Sequence, residues 1–272
     1  MCRELGVSTA GYYKWRRRIK NETPTRNEII SKKIIDIHAK HRGVYGSPRV
    51  QRALAQEGIH CNHKRIERLM RVLGVRAKQS KKFKATTNSK HDLQVAKNVL
   101  NRQFTKTEAN QAWVSDITYV WTDEGWLYLV VFIDLWSRRV LGWSISERMQ
   151  ADFVRDAFLM ACGKRGGNFK KLIVHSDRGS QYASELFKET LQSTGCTQSM
   201  SRKANCWDNA VAESFFGSLK KELIYRERFE TRQAARAAMF EYIEIFYNRI
   251  RLHSALNYLS PDQFERKLNL VA

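Results

Sequence analysis

The sequence predicts an all-helical, basic region followed by an α/β domain, and three observations support this prediction. Residues 1–100 hold 24 Lys and Arg against 7 Asp and Glu, whereas residues 101–272 hold 24 against 20. As far as Ala77, apolar residues recur at the three- and four-residue spacing of amphipathic helices. From Trp113 onward, short apolar runs typical of strands alternate with helical stretches.

The first helices are predicted from capping residues and apolar spacing. Ser8 is expected to cap a helix that carries the basic residues Arg16 and Arg17. The residues before Ser8 resemble the turn of a helix-turn-helix whose first helix is mostly missing. A second helix is expected from Asn27 to Arg42, with one apolar side formed by Ile30, Ile34 and Ile37.

The next two helices resemble a helix-turn-helix. Ser47, followed by Pro48, is expected to cap the first helix, and Asn62 is expected to cap the second. The second helix has an apolar face and basic faces: Ile66, Leu69, Met70 and Leu73 against Lys64, Arg65, Arg68 and Arg71. Helix, short turn and basic helix are typical of DNA-binding units. The alternative is a helical hairpin that touches no DNA.

The α/β part follows a recognisable order of elements. Strands are expected over Trp113–Trp121, Trp126–Leu135, Arg139–Ile145, Lys171–His175 and Thr197–Met200, and helices over Ala151–Lys164, Ser180–Ser193 and Asp208–Tyr225. The order β-β-β-α-β-α-β-α is that of the ribonuclease H-like fold. Two further helices are expected, one from Glu230 to Tyr247 and one starting at Pro261.

These patterns divide the chain into five expected segments. A partial helix-turn-helix covers 1–24, and an all-helical helix-turn-helix DNA-binding domain covers 25–77. A basic linker follows over 78–107, of which Lys78–Lys90 has little apolar content and is expected to be flexible or ordered only on DNA. The ribonuclease H-like catalytic core covers 108–226, and a helical C-terminal extension covers 227–272.

Bulk composition excludes several classes of protein. No run of eighteen or more apolar residues is present, so no transmembrane helix is expected. The five cysteines are scattered and form no CxxC pair, which indicates a reducing compartment without a disulfide framework. The net charge of +21, concentrated in the first hundred residues, favours a polyanion such as nucleic acid as partner. The alternative is a merely solvated basic surface.

Three carboxylates occupy positions at which chemistry is expected. Asp116 lies in an apolar strand, where a charge is costly to bury unless a partner such as a metal ion compensates it. Asp177 follows a strand directly, and such strand ends are common sites in open α/β sheets. Glu213 lies on a long helix, with 35 residues between it and Asp177. The alternative for any one of them is a solvated surface charge.

Converging carboxylates are typical of phosphodiester chemistry. Two divalent cations can activate the attacking oxygen and stabilise the leaving one, and Mg²⁺ prefers oxygen ligands. We therefore expect two Mg²⁺ ions, with Mn²⁺ able to substitute. Asp134 is a competing candidate ligand, although pairing with Arg138 or Arg139, or capping of the strand end, is the favoured interpretation. The cluster His60–His63 lacks a second ligand pair at zinc-finger spacing and is interpreted as ordinary helix-turn residues.

The helix that carries Glu213 has a second polar face. Asn209, Glu213 and Lys220 are four and seven residues apart and share that face. Gly217 lies near it, and we expect the missing side chain to let a DNA backbone approach, with Lys220 holding a phosphate. A Gly217→Leu variant with full strand-transfer activity would contradict this expectation.

Several motifs together resemble the transposases of bacterial insertion sequences of the IS-three family, and their relatives the retroviral integrases. The matching segments begin at Trp113-x-x-Asp116 and continue with Phe132–Trp143, His175–Tyr182, Asn205–Phe216 and Tyr247-Asn248-x-x-Arg251-x-His253. The resemblance covers nearly the whole chain, including the 35-residue gap and a lysine seven residues after the glutamate. It implies a retroviral integrase-type core in which Asp116, Asp177 and Glu213 bind metal and are catalytic.

The resemblance also implies a reaction and partners. Transposon DNA ends would be cleaved to free a 3′-OH, which would attack a second phosphodiester by transesterification without a covalent protein intermediate. The expected partners are double-stranded DNA (terminal inverted repeats and target DNA), further copies of this chain in a homodimer or higher assembly, and an upstream-frame protein, fused or associated. We expect the chain to be the downstream-frame protein and to be bacterial, cytoplasmic and nucleoid-associated, without a membrane partner.

Other functions remain open at this point. An RNase H-like nuclease would cut without joining, and a binding-only remnant of a transposon would do neither. An RNA-binding protein is the weakest alternative, because no RNA-binding aromatic motif is visible. Beyond the carboxylates, the expected DNA contacts are Lys220, Asn209, Arg178, Arg16, Arg17, Lys64, Arg65 and Arg68.

Overall fold

The computed structural model describes residues 2, 4–20, 25–77, 93–203 and 205–269. The chain forms two compact units, Met1–Ala77 and Lys78–Ala272. The expected flexible stretch Lys78–Lys90 lies outside the described residues. Within the described ranges, no helix is both long enough and apolar enough to cross a membrane.

The first unit contains four helices: α1 Thr9–Lys20, α2 Arg26–Lys40, α3 Ser47–Gln56 and α4 His63–Val72. Three of the caps explain why the helices begin where they do. Ser8 Oγ accepts from Gly11 N at 3.0 Å, which confirms the predicted cap of α1. A capping box of Thr25 and Glu28 starts α2, and the predicted cap Asn62 accepts from Lys64 N at 2.9 Å.

The predicted cap of α3 is wrong. Gly46 occupies the cap position and Ser47 is already helical, with Pro48 in the first turn. Ser47 Oγ instead contacts His63 Nε2 at 3.0 Å, so its hydroxyl ties α3 to α4. The predicted apolar face of α2 and most of that of α4 are buried and form the core of this unit, except Leu73, which is half-buried.

The second unit is built on a five-stranded sheet: β1 Ala112–Thr122, β2 Gly125–Asp134, β3 Val140–Ser146, β4 Ile173–Ser176 and β5 Thr197–Met200. The strand order is β3-β2-β1-β4-β5. β1, β2 and β3 pair antiparallel, whereas β4 runs parallel to β1 and β5 runs parallel to β4. This mixed sheet, with its three-strand meander and two crossovers, confirms the predicted ribonuclease H-like order of strands.

Helices complete the second unit: α5 Ala151–Arg165, α6 Glu185–Thr194, α7 Ala210–Glu222, α8 Arg232–Phe240 and α9 Pro261–Asn269. The predicted start of α6 at Ser180 is wrong, because Ser184 is the cap and accepts from Phe187 N at 3.3 Å. The predicted helix from Asp208 to Tyr225 is interrupted: a 3₁₀ turn, Cys206–Asn209, precedes α7, and another, Ile224–Arg226, follows it. α8 continues as a π-helical segment, Glu241–Ile250.

The core lies between the sheet and helices α5 and α6, where the aromatic side chains Trp113, Phe132, Phe158 and Phe187 are fully buried. Gly142 makes this packing possible. A Cβ at that position would lie 2.0 Å from the backbone oxygen of Ala157, so β3 and α5 are in direct backbone contact.

The π-helical segment is attached to the outer strand β3. Asn248 Oδ1 accepts from Val140 N at 3.0 Å, and Asn248 Nδ2 donates to Val140 O at 3.0 Å. One side-chain amide thus satisfies both backbone groups of a strand residue. The extension after α7 is consequently part of the folded core of this unit.

Candidate active site

Asp116 lies in the middle of β1, and its side chain is half-buried. Its Oδ1 accepts from Ile117 N at 2.8 Å. Burial raises the pKa of Asp116 well above its usual range, and the negative charges of Asp177 and Glu213 raise it further. The hydrogen bond from Ile117 and the positive charge of Lys220 act in the opposite direction. All three predicted carboxylates therefore interact electrostatically at this point.

Asp177 follows β4 directly, as predicted. The parallel pairing of β1 and β4 ends with Val114 opposite His175, so Asp116 and Asp177 each lie two residues beyond the last paired positions. Asp177 Oδ1 accepts from Gly179 N at 3.0 Å, which fixes the carboxylate at the turn after the strand. The sheet topology thus places one carboxylate inside β1 and the other directly after the neighbouring strand β4.

Glu213 lies in the first turn of α7, on its exposed side. Partial burial raises the pKa of Glu213. Among the residues that the structure describes, no three His, Cys, Asp or Glu side chains are gathered closely enough to hold a metal ion. The structure therefore brings the three carboxylates into electrostatic contact without assembling them into a coordination sphere.

Below this group lies a buried hydroxyl pair. Tyr182 is fully buried, and its hydroxyl is 2.7 Å from Ser115 Oγ, on the residue before Asp116. Burial raises the pKa of Tyr182 well above its usual range, and the charges of Asp177 and Asp116 raise it further. Tyr182 was not predicted as part of the site, although it lies in the motif that contains Asp177.

Lys220 and Asn209 occupy different environments on α7 and the turn before it. The Lys220 Nζ atom lies 5.3 Å from the ring centroid of Tyr119. Burial lowers the pKa of Lys220, and the negative charge of Asp116 acts in the opposite direction. Asn209 is only 4% exposed, and its Nδ2 donates to Ser115 O at 2.9 Å. In this position the Asn209 amide holds β1 beside Asp116, so its predicted contact with DNA stays a prediction.

The turn before α7 is held by Asp208, which was not predicted as part of the site. Asp208 is fully buried and accepts from Arg202 and Arg102, with closest distances of 2.8 Å to each, and from Asn98 at 2.9 Å. The hydrogen bonds and the charge of Arg202 hold the pKa of Asp208 far below its usual range. Its place in the motif that leads to Glu213 was visible in the sequence, but two of its partners, Arg102 and Asn98, are distant along the chain.

Two polar residues next to Asp177 have structural contacts. His175 is fully buried, with Nδ1 2.8 Å from Ser199 Oγ, and burial lowers its pKa to about 4. It is therefore a core histidine. Arg178 Nε donates to Ser201 O at 2.8 Å, which connects the Asp177 turn to the strand β5 side of the sheet. A phosphate contact by Arg178 stays a prediction.

The competing candidate Asp134 has a different ion-pair partner from those predicted, whereas the predicted capping of the strand end is confirmed. It is fully buried and forms an ion pair with Arg165 at 2.7 Å, rather than with Arg138 or Arg139. Its Oδ1 accepts from Trp136 N at 2.9 Å. Burial raises the pKa of Asp134, and Arg165 lowers it. These contacts explain the buried charge without a metal ion.

The predicted DNA contacts in the first unit are mostly available at its surface. Arg16, Lys64 and Arg68 are exposed. Arg65 is half-buried, and its Nη2 donates to Asn27 Oδ1 at 2.6 Å. The side chain of Arg17 lies outside the described residues. DNA binding by these residues stays a prediction.

Known protein families match three parts of the chain. An HTH-like domain family matches residues 25–83, and two integrase core domain families match residues 106–206 and 213–268.

Several curated proteins are similar over nearly the whole chain. An uncharacterized 31 kDa protein of insertion element IS600 from Shigella sonnei is 43% identical over 100% of both chains. The transposase for insertion sequence element IS904 from Lactococcus lactis is 46% identical over 88% of this chain and 94% of its own. Transposase InsF for insertion sequence IS3A from Escherichia coli is 44% identical over 98% of this chain and 93% of its own.

Solved structures give weaker similarity. The HTLV-2 integrase catalytic core domain in complex with magnesium is 20% identical and has a TM-score of 0.43, over 57% of this chain and 95% of that one. The catalytic core domain of BIV integrase is 19% identical and has a TM-score of 0.44, over 60% of this chain and 99% of that one.

Proposed function

This chain belongs to the transposases of bacterial insertion sequences of the IS3 family, and on that basis we propose that it cuts and joins DNA at Asp116, Asp177 and Glu213. A transposase with an integrase core domain is a polynucleotidyl transferase. The observation that carries the assignment of the residues is the arrangement of Asp116 on β1, Asp177 directly after the neighbouring strand β4, and Glu213 in the first turn of α7. The negative charges of Asp177 and Glu213 also raise the pKa of Asp116, in addition to the effect of burial. Proteins seldom bring side chains of like charge together unless the site also binds an ion or group of opposite charge.

The three side chains fit divalent metal. They offer only carboxylate oxygens, which Mg²⁺ prefers, and Mg²⁺ sites commonly use few carboxylates together with substrate phosphate. The repulsion that raises the pKa of Asp116 would be relieved by cations held between Asp116, Asp177 and Glu213. Two Mg²⁺ ions, for which Mn²⁺ can substitute, would activate the attacking oxygen and stabilise the leaving oxygen.

The reaction consists of two displacements at phosphorus. In the first, a water oxygen forms a bond to the phosphorus at the end of the element, and the bond to the 3′ oxygen breaks, which frees a 3′-OH. In the second, that 3′ oxygen attacks another phosphodiester and displaces its bridging oxygen, so one bond forms and one breaks. Lys220, half-buried beside Asp116, would neutralise a phosphate at this position. The turn before α7, which Asp208 and Asn209 hold, would keep Glu213 at a fixed position relative to Asp116.

The expected partners follow from this reaction. The helical first unit, with the exposed Arg16, Lys64 and Arg68, would bind the terminal inverted repeats through DNA phosphates and bases. The core would act on those ends and on target DNA. Since two ends are joined, a homodimer or higher assembly on DNA is proposed, together with an upstream-frame protein.

The test uses DNA ends taken from the sequence that flanks the gene, one set intact and one set pre-cut with a free 3′-OH. Asp116→Asn, Asp177→Asn and Glu213→Gln should each reduce cleavage and joining by more than about 100-fold, because a directly bound ligand matters at least as much as its supporting groups. Asp156→Asn removes an exposed carboxylate on α5 and serves as the control. Full activity of any of the three variants would exclude its residue from the site.

The same assay separates the alternative functions. Cleavage of the intact ends without any joined product from the pre-cut ends would favour a nuclease. DNA effects that are unchanged in the Asp116→Asn and Glu213→Gln variants would favour a binding-only protein.

A further inference from the structure

An aromatic strip leads from the candidate active site to the tip of the β1–β2 hairpin. It starts at Tyr119, under Lys220, and continues to Trp126, whose ring lies edge-on to Tyr119 with a centroid distance of 5.1 Å. Trp121 follows, edge-on to Trp126 at 4.8 Å. Trp121 and Trp126 are 54% and 44% exposed, so the strip ends in two indole rings that face solvent.

The hairpin tip that carries this strip is fixed to the body of the second unit. Asp123 N donates to Phe229 O at 3.0 Å, and Arg232 N donates to Glu124 Oε2 at 2.7 Å. Arg228 also forms an ion pair with Asp123 at 3.1 Å. The strip is thus held in place without a ligand, which lowers the entropy that a ligand must overcome to bind it.

The charges around the strip favour an anionic ligand. The two acidic residues of the hairpin turn, Asp123 and Glu124, are engaged by the segment that contains Arg228 and Arg232. Lys220 supplies a cation at the inner end of the strip, over the Tyr119 ring. A DNA backbone with a phosphate at Lys220 would meet a cation at the inner end of the strip, while at the tip Asp123 is paired with Arg228 and Glu124 accepts the backbone N–H of Arg232.

Aromatic rings stack on the faces of bases, and those faces are accessible only where a nucleotide is unpaired. We propose that Trp121 and Trp126 bind an unpaired nucleobase of the DNA that is held at the candidate active site. The proposal rests on the proposed function, because it requires DNA at Lys220. The hairpin would bind a base that has left the duplex close to the reacting phosphate.

The test measures binding without chemistry, in the Asp116→Asn background of the full chain. The probes are two fluorescent DNAs of identical sequence in one strand: a fully paired duplex and a duplex with three unpaired nucleotides at its end. The double variant Trp121→Ala/Trp126→Ala should bind the unpaired-end DNA about 5- to 100-fold more weakly, as expected for the loss of base stacking. Its affinity for the paired duplex should stay within about twofold, since phosphate contacts dominate there.

Two further variants control the comparison. Trp121→Phe/Trp126→Phe keeps stacking rings and should retain most of the preference for unpaired ends. Phe240→Ala removes an aromatic side chain, 50% exposed on α8, and should change neither affinity. Thermal unfolding of every variant shows whether the hairpin remains folded, and the Phe pair preserves the test if the Ala pair unfolds.

Three outcomes would overturn the proposal. These are an equal loss of affinity for both DNAs, no loss for either, and a change of molecular mass in light scattering with DNA affinity unchanged. The last outcome would make the strip a contact between two copies of the chain. None of them depends on the carboxylates: the proposed function is tested separately, by the cleavage and joining of DNA in the carboxylate variants with native tryptophans.

Discussion

Lys220 is the cation that interacts with Asp116 among the residues that the structure describes. Lys220→Ala should weaken DNA binding, and the slope of log affinity against log salt should fall by about 0.9, the contribution of one phosphate contact. The matched control is Lys221→Ala, which removes an exposed lysine one position further along α7. The measurement is a fluorescence titration at several salt concentrations. A slope that changes equally in both variants would show only the loss of one surface charge.

His41 predicts a pH dependence of stability in the first unit. It is 6% exposed and stacks on Tyr45 with a centroid distance of 4.0 Å, and burial lowers its pKa to about 4. The unfolded chain binds this proton near pH 6.5, so the folded state loses stability as the pH falls from about 6.5 to about 4. The loss attributable to this residue is on the order of 3 kcal/mol.

The check is a series of denaturant titrations between pH 4 and pH 7, for the parent and for His41→Phe. Phenylalanine keeps a stacking ring and carries no proton, so the variant should lose stability less steeply over that interval. Parallel curves for the two proteins would contradict the assignment to His41.

Glycine positions provide a prediction at the scale of elements. Gly142→Ala should destabilise the protein by about 3 kcal/mol or more, because its Cβ would meet the Ala157 oxygen at 2.0 Å and β3 would have to move from α5. Gly163→Ala, on α5 itself, has no atom within 4 Å of the added Cβ. It should stabilise the protein by about 0.5–1 kcal/mol, from helix propensity alone. Thermal unfolding of both variants tests the pair.

The helix boundaries show which structural features could be predicted from the sequence. Capping side chains act within three residues, so Ser8 and Asn62 were predicted correctly as caps. The start of α6 was misplaced because Ser180 and Ser184 are both suitable caps, and only the turn at Gly179, which binds Asp177, decides between them. The interruption of the helix around α7 was likewise not visible in its apolar spacing.

Within the candidate site, the three carboxylates were predicted from their elements and from the family resemblance. The partners of buried charges were not, since they depend on how distant segments meet. Asp134 pairs with Arg165 across 31 residues, whereas the sequence suggested its neighbours Arg138 and Arg139. Asp208 is similarly bound by Arg102, 106 residues away. No local pattern in a single sequence contains such pairings.

For the second unit as a whole, a buried ion pair connects α7 to the extension that follows it. Arg251 Nη2 lies 2.8 Å from Glu222 Oε1, and the side chains are 6% and 8% exposed. Tyr242 donates to the same carboxylate at 2.8 Å. Arg251→Met leaves the buried Glu222 without its cation and should destabilise the protein by about 3–5 kcal/mol.

A double variant shows whether Arg251→Met destabilises the protein through the loss of the ion pair or through the buried charge that remains on Glu222. Glu222→Gln/Arg251→Met removes both charges and should be less destabilised than Arg251→Met alone, although both lack the ion pair. Free energies of unfolding from urea titrations give the comparison. An additive result would mean that the two residues act independently.

The attachment of Asn248 to Val140 affects how the sheet meets other molecules. The rim of a sheet normally offers unpaired backbone groups on which a foreign strand can add, and such addition leads to aggregates. At Val140 both groups are already taken by one amide. Both groups are therefore withheld from a foreign strand, which opposes the addition of a sixth strand at this position.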